Sequence, residues 1–206
     1  MAAKHKVEMN GTLALPLGAA AGHTYMFLLG GPFETSLQTG DTYRVNLKAE
    51  GTRRHFDAEL PIEDYSVPDS PEMVRETIED VILQALTGKL IVTGCMGGMG
   101  RTGLFLAILA KAVGIPNPVG YVRANYFSHA VETVQQKRYV DEYDASWVPA
   151  YIAETYRRLH PIPETDMAEP KIREGIDEFG KALDAALRPT AKERIRGWWD
   201  WFLGRK

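Results

Sequence analysis

The sequence predicts an α/β fold in which a central, mostly parallel sheet is flanked by helices, with extra helices at the C-terminal end. The first observation is that short, strand-like apolar segments alternate with segments of helical periodicity between residues 25 and 109. The second is that a glycine-rich loop joins the last strand-like segment to an apolar helix, in "LIVTGCMGGMGRTGLFLAILA". Only helical patterns follow residue 116. Such alternation of strands and helices is typical of a parallel sheet covered by helices.

Four strand patterns define the sheet, after a strand and a loose turn that we expect before residue 25. "TYMFLLGG" ends in two glycines, and "TYRVNLK" alternates apolar and polar residues with the period of two that marks a strand. "DAELPIED" is a weaker candidate, because Pro61 lacks a backbone donor. "KLIVTG" is short and β-branched, which is typical of a buried parallel strand.

The predicted helices have recognisable ends and apolar faces. In "SPEMVRETIEDVILQALTG", Ser70 is a good N-cap, Pro71 fits the first turn and Gly88 fits the C-terminal stop. "RTGLFLAILAKAVG" is apolar nearly all round, so we expect a central helix. Further helical patterns are "PVGYVRANYF", "VETVQQKRYVDEY", "SWVPAYIAETYRRLH" and "EPKIREGIDEFGKALDAAL". Prolines after residue 160 divide the chain into a domain over 1–160 and a helical C-terminal extension over 161–206.

Composition limits the classes of function. The chain has 206 residues, 25% of them charged, and a net charge of −3, so neither nucleic acid nor an anionic membrane is the expected main partner. A single cysteine excludes an internal disulfide. The N-terminus lacks the apolar segment of a signal peptide, and no apolar run is long enough to span a membrane. We therefore expect a cytoplasmic protein, and the scattered histidines predict no metal site.

The only cysteine, Cys95, lies between a predicted strand and a predicted helix that begins near Arg101. A strand, a glycine-rich loop and a helix N-terminus together form a cradle for an anion. The nucleotide P-loop motif fails here, because Cys95 stands where its first glycine belongs and Arg101 replaces its lysine. A second chemistry uses the same geometry: the cysteine supplies a thiolate nucleophile, and the arginine binds two oxygens of a phosphate dianion.

The backbone of the loop is predicted to wrap the phosphate with N–H groups, from Met96, Gly97, Gly98, Met99 and Gly100. We expect Thr102 to donate a hydrogen bond to Cys95 and to stabilise the leaving thiolate. The alternative interpretation is a buried core cysteine, since Cys-x5-Arg spacing also arises by chance. The glycines and the flanking strand and helix favour the functional interpretation, because a core cysteine needs no such frame.

The segment "CMGGMGRTG" resembles the signature loop of the protein tyrosine phosphatase superfamily, Cys-x5-Arg-Ser/Thr-Gly. "YRVNLKAEG" is similar to a family strand that is followed by an acidic residue, and "LPIEDYSVPDS" to the acid segment of the compact dual-specificity members. "AVETVQQKRYV" is similar to the glutamine segment that orders the attacking water. The resemblance implies a phosphatase-like catalytic domain over 1–160, in which Asp64 is the general acid and Gln136 positions the water.

Alternatives and departures accompany this resemblance. Asp69 is a rival general acid, which we rank below Asp64 because it precedes Ser-Pro and can help to cap a helix; Glu63 is a weaker rival. Gly94 stands where the family usually has a histidine that braces the loop. Glu132 stands where the glutamine segment usually begins with glutamine.

The activity that the resemblance implies is hydrolysis of phosphomonoesters through a phosphocysteine intermediate, without metal or cofactor. The Cys95 thiolate attacks phosphorus, Arg101 holds the equatorial oxygens, and Asp64 protonates the leaving oxygen. The expected substrate is a phosphoprotein, of tyrosine or dual specificity, or a small phosphomonoester. Two alternatives stay open: a weak or inactive phosphate-binding pseudophosphatase, and a phosphatase acting on phosphoinositides or RNA 5′ ends. The absence of lysine from "MGGMG" disfavours inositol phosphates.

The C-terminal tail "ERIRGWWDWFLGRK" combines tryptophans with basic residues. We expect it to dock within the protein or to join two copies of the chain as a homodimer. A membrane anchor is disfavoured, because Gly197 weakens the helix and Asp200 interrupts its basic character.

Overall fold

The computed structural model describes residues 9–161, which hold five strands and five α-helices. The strands are β1 (Gly11–Pro16), β2 (Tyr25–Pro32), β3 (Thr42–Lys48), β4 (Ala58–Ile62) and β5 (Leu90–Cys95). The helices are α1 (Pro71–Leu86), α2 (Gly100–Ala112), α3 (Pro118–Asn125), α4 (Val134–Glu142) and α5 (Val148–Leu159). Apart from Pro161, the predicted C-terminal extension and its tail lie outside the described residues.

The sheet has the strand order β1-β2-β5-β3-β4. Strand β1 is antiparallel to β2, and every other neighbouring pair is parallel, which confirms the predicted mostly parallel sheet. The carboxyl ends of parallel strands meet at one edge of a sheet, where α/β proteins place their ligand sites. Because β5 is the central strand, its last residue, Cys95, lies in the middle of that edge.

Strand β3 has the predicted bounds but is buried on both faces. Its apolar row belongs to the hydrophobic core, as the alternation indicates. Its polar row is also buried, because each side chain finds a partner in the chain that covers that face. Arg44 donates to Ser36 Oγ at 3.0 Å, and Lys48 Nζ lies 2.7 Å from Glu34 Oε1. One face of β3 is therefore buried in the apolar core, and the other is buried against polar partners instead of being exposed to solvent.

The weaker strand candidate is confirmed as β4, despite Pro61. Strand β4 lies at the end of the sheet and pairs only with β3 among the described strands. A proline is tolerated on such an edge strand, where one side of the backbone makes no ladder hydrogen bonds. Strand β4 ends at Ile62 and leads directly into the segment that contains Asp64.

Helix α1 begins as predicted, and helix α2 connects the sheet edge to the rest of the helical layer. The Ser70 hydroxyl accepts a hydrogen bond from Met73 N at 3.1 Å, which confirms the predicted N-cap of α1. Helix α2 is buried along nearly its whole length, contacts β3 and β5, and packs against α3 and α4. Its first residue, Gly100, follows the loop after Cys95. None of the helices in the described range is long and apolar enough to cross a membrane.

Candidate active site

Cys95 and the N-terminus of α2 face one another across a loop of four residues, 96–99. The thiol side chain is nearly buried, with 3% of the residue exposed. Helix α2 begins without a side-chain cap at Met99, so the N–H groups of its first turn are left for another acceptor. An anion bound between Cys95 and α2 would meet these N–H groups and the positive end of the helix dipole.

The loop and the end of β5 lie directly against the end of β2, which explains the glycines at positions 98 and 94. Gly98 has a φ of +73°, and a Cβ there would lie 2.5 Å from the Gly31 backbone. A Cβ at Gly94 would lie 2.5 Å from Gly31 O and 2.9 Å from Phe33 N. The space that a bracing histidine would need at position 94 is therefore filled by backbone.

Two side chains from distant parts of the chain brace the loop instead. Asn10 Nδ2 donates to Gly97 O at 2.8 Å, and the Tyr126 hydroxyl donates to Gly98 O. Burial, and next the nearby Cys95, raise the pKa of Tyr126, which keeps this hydroxyl protonated as a donor. Both bonds hold loop carbonyls away from the anion site, which leaves the N–H groups to face it. Sequence reasoning missed both residues.

Arg101 is held in place by an acid that the sequence analysis did not single out. Arg101 is 2% exposed, and it donates from Nη1 to Glu50 Oε2 at 2.6 Å and from Nη2 to Glu50 Oε1 at 3.0 Å. Its Nη1 also donates to Ile62 O at 3.1 Å. These bonds to Arg101 lower the pKa of Glu50 below its ordinary value. The one available signal was the acidic residue that follows the β3 pattern "YRVNLKAEG".

Asp64, in the segment after β4, also lies beside Arg101. Its Oδ1 lies 3.2 Å from Arg101 Nη2, and 59% of its side chain is exposed. The next residue, Tyr65, has a φ of 59°, an uncommon backbone conformation for a residue other than glycine. This sharp turn holds the carboxylate at the mouth of the site. The rivals Asp69 and Glu63 are exposed but do not line the cavity around Cys95.

The cavity at Cys95 has a volume of about 190 Å³. Its lining residues come from the acid segment, the end of β5, the loop, the first turn of α2 and the segment just before α4: Asp64, Tyr65, Cys95, Met96, Gly97, Met99, Gly100, Arg101 and Glu132. Four of the five predicted loop residues therefore line it. The fifth, Gly98, does not; it is buried and makes the left-handed turn of the loop.

Gln136 makes structural hydrogen bonds and is not among the side chains that line the cavity. Gln136 is fully buried and forms a capping box with Thr133 at the start of α4. Its Oε1 accepts from Glu132 N at 2.9 Å, and its Nε2 donates to Ser66 O at 3.0 Å. The amide therefore ties α4 to the acid segment and does not line the cavity. The side chain that reaches the cavity from this segment is Glu132.

The hydrogen bond expected from Thr102 to Cys95 is also not formed. Thr102 is fully buried in the first turn of α2, and its hydroxyl has no hydrogen-bond partner among the described residues.

In the range 9–161, no group of three or more His, Cys, Asp or Glu side chains is arranged to hold a metal ion.

Comparison with known proteins finds relatives in sequence and in structure. No family model matches the chain. Two uncharacterized proteins of Methanocaldococcus jannaschii are each 45% identical to it over 85 residues, which is 41% of this chain and 56% and 52% of theirs. The chain thus spans about half the length of the curated relatives it matches.

Similar solved structures are phosphatases. A kinase associated phosphatase with its catalytic-site cysteine replaced by serine is 16% identical, with a TM-score of 0.51, over 71% of this chain and 98% of its own. Tk-PTP in the active form is 19% identical, with a TM-score of 0.44, over 63% of this chain and 91% of its own. PTPMT1 in complex with PI(5)P is 12% identical, with a TM-score of 0.41, over 64% and 94%. The chain has the fold of the protein tyrosine phosphatase superfamily.

Proposed function

We propose that this protein hydrolyses phosphomonoesters through a phosphocysteine intermediate, without a metal ion, and that its substrates are phosphoproteins. The observation that carries the proposal is the clamp of Glu50 on Arg101 beside Cys95, with Asp64 on the same guanidinium. A core cysteine has no use for a buried arginine held in this way. The shared fold supports the proposal because a Cys-x5-Arg loop lies at the sheet edge where α/β proteins bind ligands.

In the first step, the Cys95 thiolate attacks phosphorus and the bond from phosphorus to the ester oxygen breaks. Of the five N–H donors of the Arg101 guanidinium, three are donated to Glu50 and Ile62, Asp64 Oδ1 lies 3.2 Å from Nη2 as an ion pair, and the Nε–H stays available. A phosphate that displaces Asp64 from Nη2 would gain Nε–H and Nη2–H as a fork on two of its oxygens. Asp64, released from the arginine, protonates the leaving oxygen.

In the second step, water attacks phosphorus and the bond between phosphorus and Cys95 Sγ breaks, which returns the thiolate and frees phosphate. The Gln136 amide oxygen accepts from backbone N–H groups and one of its Nε2 hydrogens is bonded to Ser66 O, so we propose that its part in this step is to hold the acid segment rather than to activate the water.

The shape and charge of the cavity support a substrate that carries one phosphate on a larger chain. The cavity is about 190 Å³, and Tyr65 and Met96 at its wall are exposed apolar side chains, 62% and 56% exposed respectively. Apart from Arg101, which is already paired with Glu50, the charged side chains that line the cavity are the acids Asp64 and Glu132. A polyphosphorylated ligand would meet repulsion from these acids outside the loop.

The test is an activity profile of the full chain in the presence of EDTA. We expect turnover of para-nitrophenyl phosphate and of phosphopeptides, inhibition by vanadate, and little turnover of phosphoinositides or of 5′-phosphorylated RNA. The variant Cys95→Ser should lose turnover and keep phosphate binding. The exposed Glu132 carboxylate in the cavity favours a second candidate, a pseudophosphatase; binding of phosphate without turnover by the wild-type protein would establish that candidate and exclude ours.

A further inference from the structure

Glu132 is an acid in the cavity for which the proposed reaction has no role so far. It lines the same cavity as Cys95, Asp64 and Arg101, and its side chain is exposed. A Cβ at Gly100 would collide with the Glu132 carboxylate, so the carboxylate lies over the start of α2. In the range 9–161, no hydrogen-bond donor or cation is paired with this carboxylate. It therefore faces the anion site without a partner that would occupy its oxygens.

The backbone that carries Glu132 is fixed from both sides. Gln136 Oε1 accepts from the N–H groups of Glu132 at 2.9 Å and Thr133 at 3.3 Å. Arg123 donates to Ala130 O at 2.9 Å and to Val131 O at 2.8 Å. These bonds hold the segment just before α4 on both sides of the acid.

The same segment contains a strained residue. Val131 has a φ of 59°, a left-handed conformation that is unfavourable for a β-branched side chain. Its N–H lies so close to α2 that a Cβ at Gly103 would be 2.6 Å from Val131 N. Such strain persists only where surrounding contacts over-determine the backbone, and it concentrates at functional sites. The structure thus fixes the backbone from which the Glu132 side chain extends into the cavity.

We propose that Glu132 is the general base of the second step, an inference that rests on the proposed function. Water is held between the Glu132 carboxylate and the phosphocysteine, and its oxygen forms the new bond to phosphorus. The bond between phosphorus and Cys95 Sγ breaks, and its electron pair returns to sulfur as the thiolate. The proton of the water passes to Glu132, whose exposed side releases it to solvent.

This assignment divides the two steps between two acids. Asp64 lies on Arg101 and serves the leaving group, whereas Glu132 has no such partner among the described residues and serves the water. A glutamine at position 132 could orient a water through hydrogen bonds, but it could not accept the proton. The exchange of Glu132 for glutamine is therefore the substitution that separates orientation from proton transfer.

The experiment follows the burst of nitrophenolate when the full chain is mixed with para-nitrophenyl phosphate. In Glu132→Gln the burst should approach one equivalent per enzyme, and the later steady rate should fall at least ~10²-fold, the usual contribution of a general base. Acid-quenched samples should contain phosphorylated enzyme. The matched control is Glu154→Gln, which removes an exposed glutamate on α5 and should behave as wild type. Asp64→Asn should form phosphorylated enzyme at a near-normal rate, because this leaving group needs no acid, and should not accumulate it, because Glu132 still activates the water of the second step.

A second variant, Glu132→Ala, keeps the proposal testable if Glu132→Gln does not fold. Glu132→Ala should show the same slow second step, and added formate should accelerate it, because a small carboxylate can enter the vacated space. Formate should leave the wild-type rate unchanged.

Different results would overturn the assignment. If Glu132→Gln loses its phosphoryl group at the wild-type rate, or if only Asp64→Asn accumulates it, Asp64 serves both steps and Glu132 is not the base. If the wild-type protein shows no release that depends on Cys95, the proposed function itself fails, and the assignment of Glu132 fails with it.

Discussion

Both oxygens of Glu50 bind both terminal nitrogens of Arg101, at 2.6 and 3.0 Å, although the two residues lie 51 positions apart in the chain. A planar fork of this kind fixes the orientation of a guanidinium as well as its position. The other edge of the guanidinium, which carries the Nε–H and the remaining Nη2–H, then faces the cavity at Cys95. Much of the predicted activity depends on this orientation.

The exchange Glu50→Gln should lower kcat/KM by about 10- to 100-fold, because a charge-assisted hydrogen bond to a buried ion contributes ~1.5–3 kcal/mol. Steady-state kinetics on para-nitrophenyl phosphate measures the loss. The control is Glu79→Gln. It breaks an ion pair outside the cavity, in which Glu79 Oε1 lies 2.9 Å from Arg75 Nε. Equal losses in the two variants would show that the Glu50 fork does not orient Arg101 for the reaction.

The same pair predicts a pH dependence of stability. Hydrogen bonding to Arg101 lowers the pKa of Glu50 from its ordinary value of 4.5. The stabilisation is therefore fully present above the unfolded-state pKa and is lost as the pH falls through the lower, folded-state pKa. The Tm of the wild-type protein should exceed that of Glu50→Gln at neutral pH, and the difference should shrink in acid below the ordinary value. A difference that stays constant throughout this range would contradict the ionised pair.

The exchange Asp64→Asn should have opposite effects on catalysis and on anion binding. Loss of the proton donor should lower kcat by ~10²-fold on poor leaving groups and much less on activated ones. Vanadate should bind a few-fold more tightly, because the exposed carboxylate that competes for Arg101 Nη2 contributes ~0–1 kcal/mol. Asp69→Asn, whose side chain lies outside the cavity, should change neither quantity. The reverse ranking of the two variants would transfer the acid role to Asp69.

The exchange Gly94→Ala should destabilise the protein and disturb the loop. Its methyl group would lie 2.5 Å from Gly31 O, and overpacking of this kind costs ~1–3 kcal/mol. Thermal unfolding and kcat/KM should both fall, since Gly94 adjoins Cys95. The control is Gly40→Ala, because nothing lies within 4 Å of a Cβ at Gly40. If Gly94→Ala matches that control, the close packing of the loop against β2 is wrong.

Strand and helix prediction succeeded where the local pattern and the local environment agree. The bounds of β3 follow from its alternation, and the start of α1 follows from Ser70 and Pro71. The burial of the polar row of β3 could not be predicted, because Ser36 and Glu34 reach it from a separate segment. Alternation tells which residues share a face, but not what covers that face.

The candidate site was only half predictable for the same reason. The nucleophile and the arginine lie in one short motif, whereas Glu50, Asn10 and Tyr126 reach it from distant segments. The structural bonds of Gln136 were predictable, since Thr133 followed three residues later by a glutamine is the sequence signature of a capping box. That signature indicates a structural amide, which leaves Glu132 as the polar side chain available to the cavity.

The central claim is that phosphate transfers to sulfur. The most direct measurement is mass spectrometry of the full chain, acid-quenched early in turnover of para-nitrophenyl phosphate and then digested. The account predicts one phosphoryl group on the peptide that contains Cys95, and neither that group nor turnover in Cys95→Ser, which should still bind phosphate. Turnover by Cys95→Ser, or a phosphoryl group on any other residue, would contradict the account.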